Sequence, residues 1–194
     1  MVVDPTGPRC GCGRRGCLEA HISTIALLAH ARRLLADGRA TVLADQLQHG
    51  VGDDAAIAAI GAAAARGDAL ALEVVSYAAR WLGLALANLV HALNPALIVL
   101  GGPLAAWGDT LVTAIERQLD RETLPVPRQA VRIRTSQAEG GAALGAAVLV
   151  LQRAGEILAD SRPLARIGDH QHWKGESTYG TRNPSDGAFD TAGA

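Results

Sequence analysis

The stretch that organises this chain is Cys10-Gly11-Cys12-Gly13-Arg14-Arg15-Gly16-Cys17-Leu18-Glu19, which holds all three of its cysteines. Glycines between the thiols keep the backbone flexible, so that three sulfurs can converge on one ion at about 2.3 Å. Thiolate is a soft ligand that favours Zn²⁺ over Mg²⁺ or Ca²⁺, and we expect Arg14 and Arg15 to lower the thiol pKa values. The alternatives are three small hydrophobic side chains or a redox cluster. The pattern favours a zinc site formed by Cys10, Cys12 and Cys17.

A closed structural zinc site needs four ligands, and this stretch supplies three. The fourth is His21, one helical turn after Cys17, or a water molecule, or a residue outside this chain. The alternative for His21 is a partly exposed helix histidine that binds no metal.

Composition excludes several classes of function. The chain has 194 residues, 49% of them hydrophobic and 3% aromatic, with a formal net charge of -1. This length predicts one domain with an appendage, and the charge and aromatic content argue against direct contact with nucleic acid. Polar residues and Pro95 interrupt the apolar segment 81–100, which argues against a membrane span. Residues 1–16 lack the features of a signal peptide, so we predict a cytoplasmic protein.

Periodicity and breaker residues predict the order of elements. Glycine and proline make residues 1–17 a loop. Helices are predicted over 18–36, 55–65, 69–93, 109–119 and 142–153, with N-caps at Asp53, Asp68 and Asp109. Residues 96–100 read as a short, fully buried strand, residues 131–135 as a half-exposed strand, and Pro125 and Pro127 as a loop between helix and strand. Residues 165–194 have no periodicity and predict a disordered tail.

The cysteine stretch resembles the C-x-C-G-x-x-G-C-x-E signature of the ROK family, a grouping of bacterial repressors, unassigned reading frames and sugar kinases. Residues 82–90, Asn94-Pro95, 98–102 and 145–147 also look like the carboxy-terminal half of that family, so the match covers residues 1 to about 153. The resemblance implies an α/β fold, the second ribonuclease H-like lobe of an actin-like ATPase. This lobe would occupy residues 1–164, and residues 1–19 would form a zinc knuckle at its start.

The resemblance also implies ligand-binding residues. Glu19 matches the family glutamate that binds sugar hydroxyls, and a carboxylate with two acceptor oxygens suits that role. The alternative role for Glu19 is electrostatic: its negative charge would stabilise the positive N-terminal end of the helix in which it lies. Gly101 and Gly102 match a turn that approaches the nucleotide in the kinases, although two glycines after a strand also form an ordinary tight turn. We assign no catalytic residue.

Departures from the family pattern limit the function. The family places a Glu-x-Gly-His element upstream of the cysteines, and its histidine is the fourth zinc ligand. This sequence does not contain it, so we expect an incomplete zinc site. The phosphate-binding loop, the Asn-Asp pair with the catalytic base, and the winged helix of the repressors are also missing, and we expect a truncated chain.

We therefore predict the sugar-sensing effector part of a ROK-type regulator, which binds a sugar or sugar phosphate and forms a homodimer. The alternatives are a fragment of a sugar kinase, which would use ATP and Mg²⁺, and a non-functional remnant.

Overall fold

The computed structural model describes residues 1–49, 52–136 and 141–159, which belong to two compact units, residues 1–139 and 140–194. The first unit holds ten elements within its described residues: α1 Leu18–Ile22, α2 Thr24–Ala36, α3 Ala44–His49, α4 Asp53–Ala65, α5 Ala69–Leu93, β1 Leu97–Leu100, a 3₁₀ helix Pro103–Trp107, α6 Gly108–Glu122, α7 Pro125–Ala130 and β2 Arg132–Thr135. The second unit holds α8 Gly141–Ala159. The predicted tail and the predicted domain boundary after residue 164 lie outside the described residues.

Helix α5 begins and ends where the sequence predicts. The carboxylate of Asp68 accepts a hydrogen bond from the Ala71 N–H at 2.9 Å, which confirms this residue as an N-cap. At the other end Asn94 has a left-handed backbone, φ 43° and ψ 54°, directly before Pro95. Asparagine tolerates this conformation, and the proline prevents further helix. The longest helix of the chain is therefore fixed by local chemistry at both ends.

Several predicted boundaries are wrong. The single helix predicted over 18–36 is two helices, because the extended Ser23 ends α1 and its hydroxyl accepts the Ala26 N–H that starts α2. Asp53 and Asp109 lie inside α4 and α6, in the first turn, rather than at their N-caps. The expected proline loop is helix α7, since a proline at the first helical position lacks only an N–H that would be unpaired there.

The two strands form a parallel pair, with Leu97 opposite Arg132 and Val99 opposite Arg134. Side chains alternate between the faces of a strand, so Ile133, which is 2% exposed, points to the helices. Leu97 and Val99 are 53% and 57% exposed. The prediction of a fully buried strand is therefore wrong, because in the described part of the first unit helices pack against one face of this sheet.

The core of the first unit surrounds α5, which packs against α1, α2, α4 and α6. It is built from aliphatic side chains and one tryptophan, among them Leu27, Ile57, Ile60, Leu70, Val74, Leu111, Ile115, Leu119 and Trp107. By length and composition α5 is the one described helix that could cross a membrane, but half of its most apolar window is buried inside the protein. This burial is what the central helix of a packed core requires.

Candidate functional site

The knuckle, residues 1–19, is a loop closed on itself by backbone hydrogen bonds. The N–H groups of Val3 and Asp4 donate to the Gly16 carbonyl at 2.8 and 3.1 Å, and Val2 and Cys17 form an antiparallel bridge. Gly16 has φ 63°, and a Cβ there would lie 1.3 Å from the Asp4 carbonyl oxygen. Only glycine fits this crossing, which brings Cys17 back beside the turn that carries the other two thiols.

The three thiols converge as the sequence predicts. The Sγ atoms of Cys10, Cys12 and Cys17 all lie within 4.8 Å of one another, and those of Cys12 and Cys17 are 3.5 Å apart. Sulfurs that bind one tetrahedral zinc ion at about 2.3 Å lie about 3.8 Å from each other. Cys17 is buried and Cys12 is exposed, so the cluster opens to solvent on one side. The spacing and the donor type both fit a single zinc ion.

Arg14 sets the charge of this cluster. Its side-chain hydrogen bond to the sulfur, together with its backbone N–H, lowers the pKa of Cys12 to about 6. The hydrogen bond with Cys12 and the burial of the thiol raise the pKa of Cys17, so the expectation that the arginines lower the pKa of this thiol is wrong. At neutral pH the thiolate of Cys12 therefore lies in contact with the thiol of Cys17. The thiolate is the form that binds metal.

Glu19 lies in the first turn of α1, two residues after the last thiol, and its side chain is exposed. The described residues provide no hydrogen-bond partner for its carboxylate, so both oxygens are available to a ligand. Glu19 lines neither the groove between α5 and α6 nor the one between α2 and α3. Its position is set by the knuckle and by α1, and it lies outside these two grooves.

His21 does not lie with the three thiols as a fourth ligand. The alternative, a partly exposed histidine, is also wrong, because its side chain is buried. It is 3% exposed, its Nδ1 lies 3.1 Å from the Tyr77 hydroxyl, and its ring stacks on Trp81 with centroids 3.9 Å apart. Burial lowers its pKa, which favours the neutral ring. These contacts fix α1, and with it Glu19, to the central helix α5.

Sequence reasoning missed this aromatic contact. Tyr77 and Trp81 are four residues apart on α5 and so share one helix face, which was the available signal. No local pattern indicates that His21 packs there, because it lies 56 residues earlier in the chain than Tyr77.

Gly101 and Gly102 lie where β1 gives way to the 3₁₀ helix. Gly102 has φ 78°, and a Cβ at either position would meet no atom of the described residues within 4 Å. The backbone of the turn therefore favours glycine at Gly102, and the described residues leave open space beside both glycines.

A family model described as the ROK family matches residues 1–153. The DNA-binding transcriptional dual regulator NagC of Escherichia coli K12 is 33% identical over 150 residues, 77% of this chain and 35% of that protein. A glucokinase of Halalkalibacterium halodurans is 38% identical over 125 residues, 64% of this chain and 37% of that protein.

Among solved structures, the ROK family glucokinase from Streptomyces griseus in complex with glucose and AMPPNP is 31% identical with a TM-score of 0.66, covering 78% of this chain and 50% of that one. A ROK family transcriptional regulator, a homolog of the E. coli MLC protein, is 32% identical with a TM-score of 0.62, covering 72% of this chain and 34% of that one. The chain thus spans between a third and a half of these relatives.

Proposed function

Because this chain belongs to the ROK family, we propose that it is the sugar-sensing effector part of a ROK-type transcriptional regulator. The observation that carries the proposal is the position of Glu19, which follows three converged thiols and has a carboxylate free of protein partners in the described residues. That carboxylate accepts hydrogen bonds from neighbouring hydroxyls of a sugar or sugar phosphate.

The metal in this proposal is structural. Cys10, Cys12 and Cys17 hold Zn²⁺, which cross-links the knuckle and so fixes the start of α1. The fourth ligand comes from outside the thiol cluster, since the pairing of His21 with Tyr77 and Trp81 directs it to α5. Zinc therefore positions Glu19 and takes no part in chemistry.

Sugar binding is transmitted through the contact between α1 and α5. A ligand that binds Glu19 contacts α1, and His21 attaches α1 to α5, the central helix of the core. If two arrangements of the protein differ in their affinity for sugar, the ligand shifts the population between them. In a cytoplasmic homodimeric regulator, this shift changes the DNA-binding state.

A sugar kinase is the second candidate, and the similarity to the glucokinases favours it. Phosphoryl transfer needs Mg²⁺-ATP and a base for the sugar hydroxyl. The open turn at Gly101 and Gly102 suits the close approach of a nucleotide to the backbone. However, this sequence contains no Asn-Asp pair to supply the base of the family kinases, so we expect no turnover by this chain alone.

The deciding experiment titrates the purified chain with glucose and with N-acetylglucosamine, following heat release and the intrinsic tryptophan fluorescence, to which Trp81, stacked on His21, contributes. Glu19→Gln should weaken binding at least tenfold, because a hydrogen bond to a charged group is lost. The matched control is Glu116→Gln on α6, which should bind within twofold of the wild type.

Equal affinities for all three proteins, or no sugar binding by the wild type, would refute the role of Glu19. Sugar-dependent release of ADP from ATP in a coupled assay would instead favour the kinase.

A further inference from the structure

A groove of about 440 Å³ runs between α5 and α6. Three arginines converge on it, Arg80 from α5 and Arg117 and Arg121 from α6. Ser76 and Gln118 add two further hydrogen-bond donors, and the rest of the lining is alanine. Of the residues that the structure describes, no acidic one lines this groove, although the chain as a whole carries a formal net charge of -1.

Among the described residues, none of these three arginines forms an ion pair with a carboxylate. The ion pairs of Arg39 with Glu73 and of Arg128 with Asp120 lie outside the groove. The Arg80 guanidinium lies 5.2 Å from the centre of the Trp81 ring. The pKa of the Asp4 carboxyl is lowered mainly by its hydrogen bond with Thr6 and least by the charge of Arg80, with which Asp4 forms no ion pair. The Gln118 amide donates to the Glu122 carboxylate at 3.1 Å, and Glu122 does not line the groove.

Helix packing holds the like charges together. A Cβ at Gly83 would lie 2.5 Å from the Cγ of Gln118, so glycine on α5 is what lets α6 come this close. Arg117 and Arg121 are four residues apart and therefore share one helix face, which places both beside Arg80. Cations on the two walls of one groove repel one another, and an anion bound between them reduces that repulsion.

We propose that this groove binds the phosphate group of a small phosphorylated molecule. The planar guanidinium presents paired N–H donors that match phosphate oxygens, and bonds between charged partners are about twice as strong as neutral ones. The groove volume lies within the usual range for small-molecule sites. The site goes beyond the proposed function, because the sugar in that proposal binds at Glu19 and the groove contains no residue of the knuckle.

The test uses the full chain and pyrophosphate as the probe, with calorimetry at a fixed ionic strength of about 0.15 M. We expect saturable binding of one pyrophosphate per chain. Arg117→Gln combined with Arg121→Gln should weaken it at least tenfold. The control is Arg66→Gln, an exposed arginine after α4, which should bind within twofold of the wild type.

Circular dichroism checks that the double variant folds, and Arg80→Gln on the opposite wall must weaken binding as well. Glu19→Gln should leave pyrophosphate binding unchanged, so this test fails or succeeds independently of the sugar site. Non-saturable binding, or equal losses in the double variant and in Arg66→Gln, would overturn the proposal. Tighter binding of a single-stranded oligonucleotide through the same arginines would replace the small molecule with a nucleic acid.

Discussion

Replacing Arg14 with glutamine tests the electrostatics of the thiol cluster directly. The Arg14 side chain is the largest cause of the low pKa of Cys12, about 6 against an ordinary value of 9.0. The substitution removes that side-chain hydrogen bond but keeps the backbone N–H and the contacts with Cys10 and Cys17. The pKa of Cys12 should therefore rise part of the way towards 9.0.

The magnitude follows from the two pKa values. At pH 7 a thiol of pKa about 6 is about 90% thiolate, against about 1% for a thiol of pKa 9.0. Intrinsic nucleophilicity falls with pKa, by roughly 20-fold across this range. Cys12 should then react about 4-fold faster than an unperturbed thiol at pH 7 and about 25-fold faster at pH 6. The advantage grows as the pH falls, because an ordinary thiol is protonated first.

The assay alkylates the reduced, metal-free protein with iodoacetamide between pH 5 and 9. Alkylation of Cys12 is quantified by tandem mass spectrometry, in which fragment ions separate it from alkylation of Cys10 on the same peptide. In the wild type the rate should reach half its maximum near pH 6. Arg14→Gln should move this midpoint upward by at least about one pH unit. Arg15→Gln is the matched control, because its guanidinium contacts the Gly7 carbonyl at 3.5 Å rather than a thiol. An unchanged midpoint in Arg14→Gln, or an equal change in Arg15→Gln, would refute the reasoning.

Three further predictions concern metal and stability. Elemental analysis after dialysis should find less than one zinc per chain, because the thiols supply three of the four ligands of a closed site and His21 packs against α5. Cys12→Ser should lower the zinc content further, and one tightly held ion per wild-type chain would contradict the prediction of an incomplete site. Gly61→Ala should lower the free energy of unfolding in urea by about 1–3 kcal/mol, because its Cβ would lie 2.3 Å from Trp107 Cδ1. Gly11→Ala, in open space, is the control and should change it by less than about 0.5 kcal/mol. Asp68→Ala should cost about 1 kcal/mol in the same assay through loss of the α5 N-cap, and no measurable change would contradict that role.

The sequence predicted the elements whose ends are set by nearby residues. Helix α5 and the strand over 132–135 appear as expected, since capping and alternation act within a few residues. The break between α1 and α2 at Ser23 was missed because the helical spacing of apolar residues continues across it. The serine hydroxyl that caps α2 is by itself a weak signal of a helix start. The burial of residues 96–100 was misread because hydrophobicity does not say which face of a strand is covered.

The sequence by itself placed the three thiols within eight residues on a backbone that glycines allow to fold back, so that one ion can be reached by all three sulfurs. Only the tertiary structure decided that His21 binds α5 instead of joining them, and that Arg80 faces Arg117 and Arg121. Both facts depend on contacts between distant segments. Such contacts form when whole helices dock, and docking is governed by the combined shape of many side chains rather than by any short run of residues.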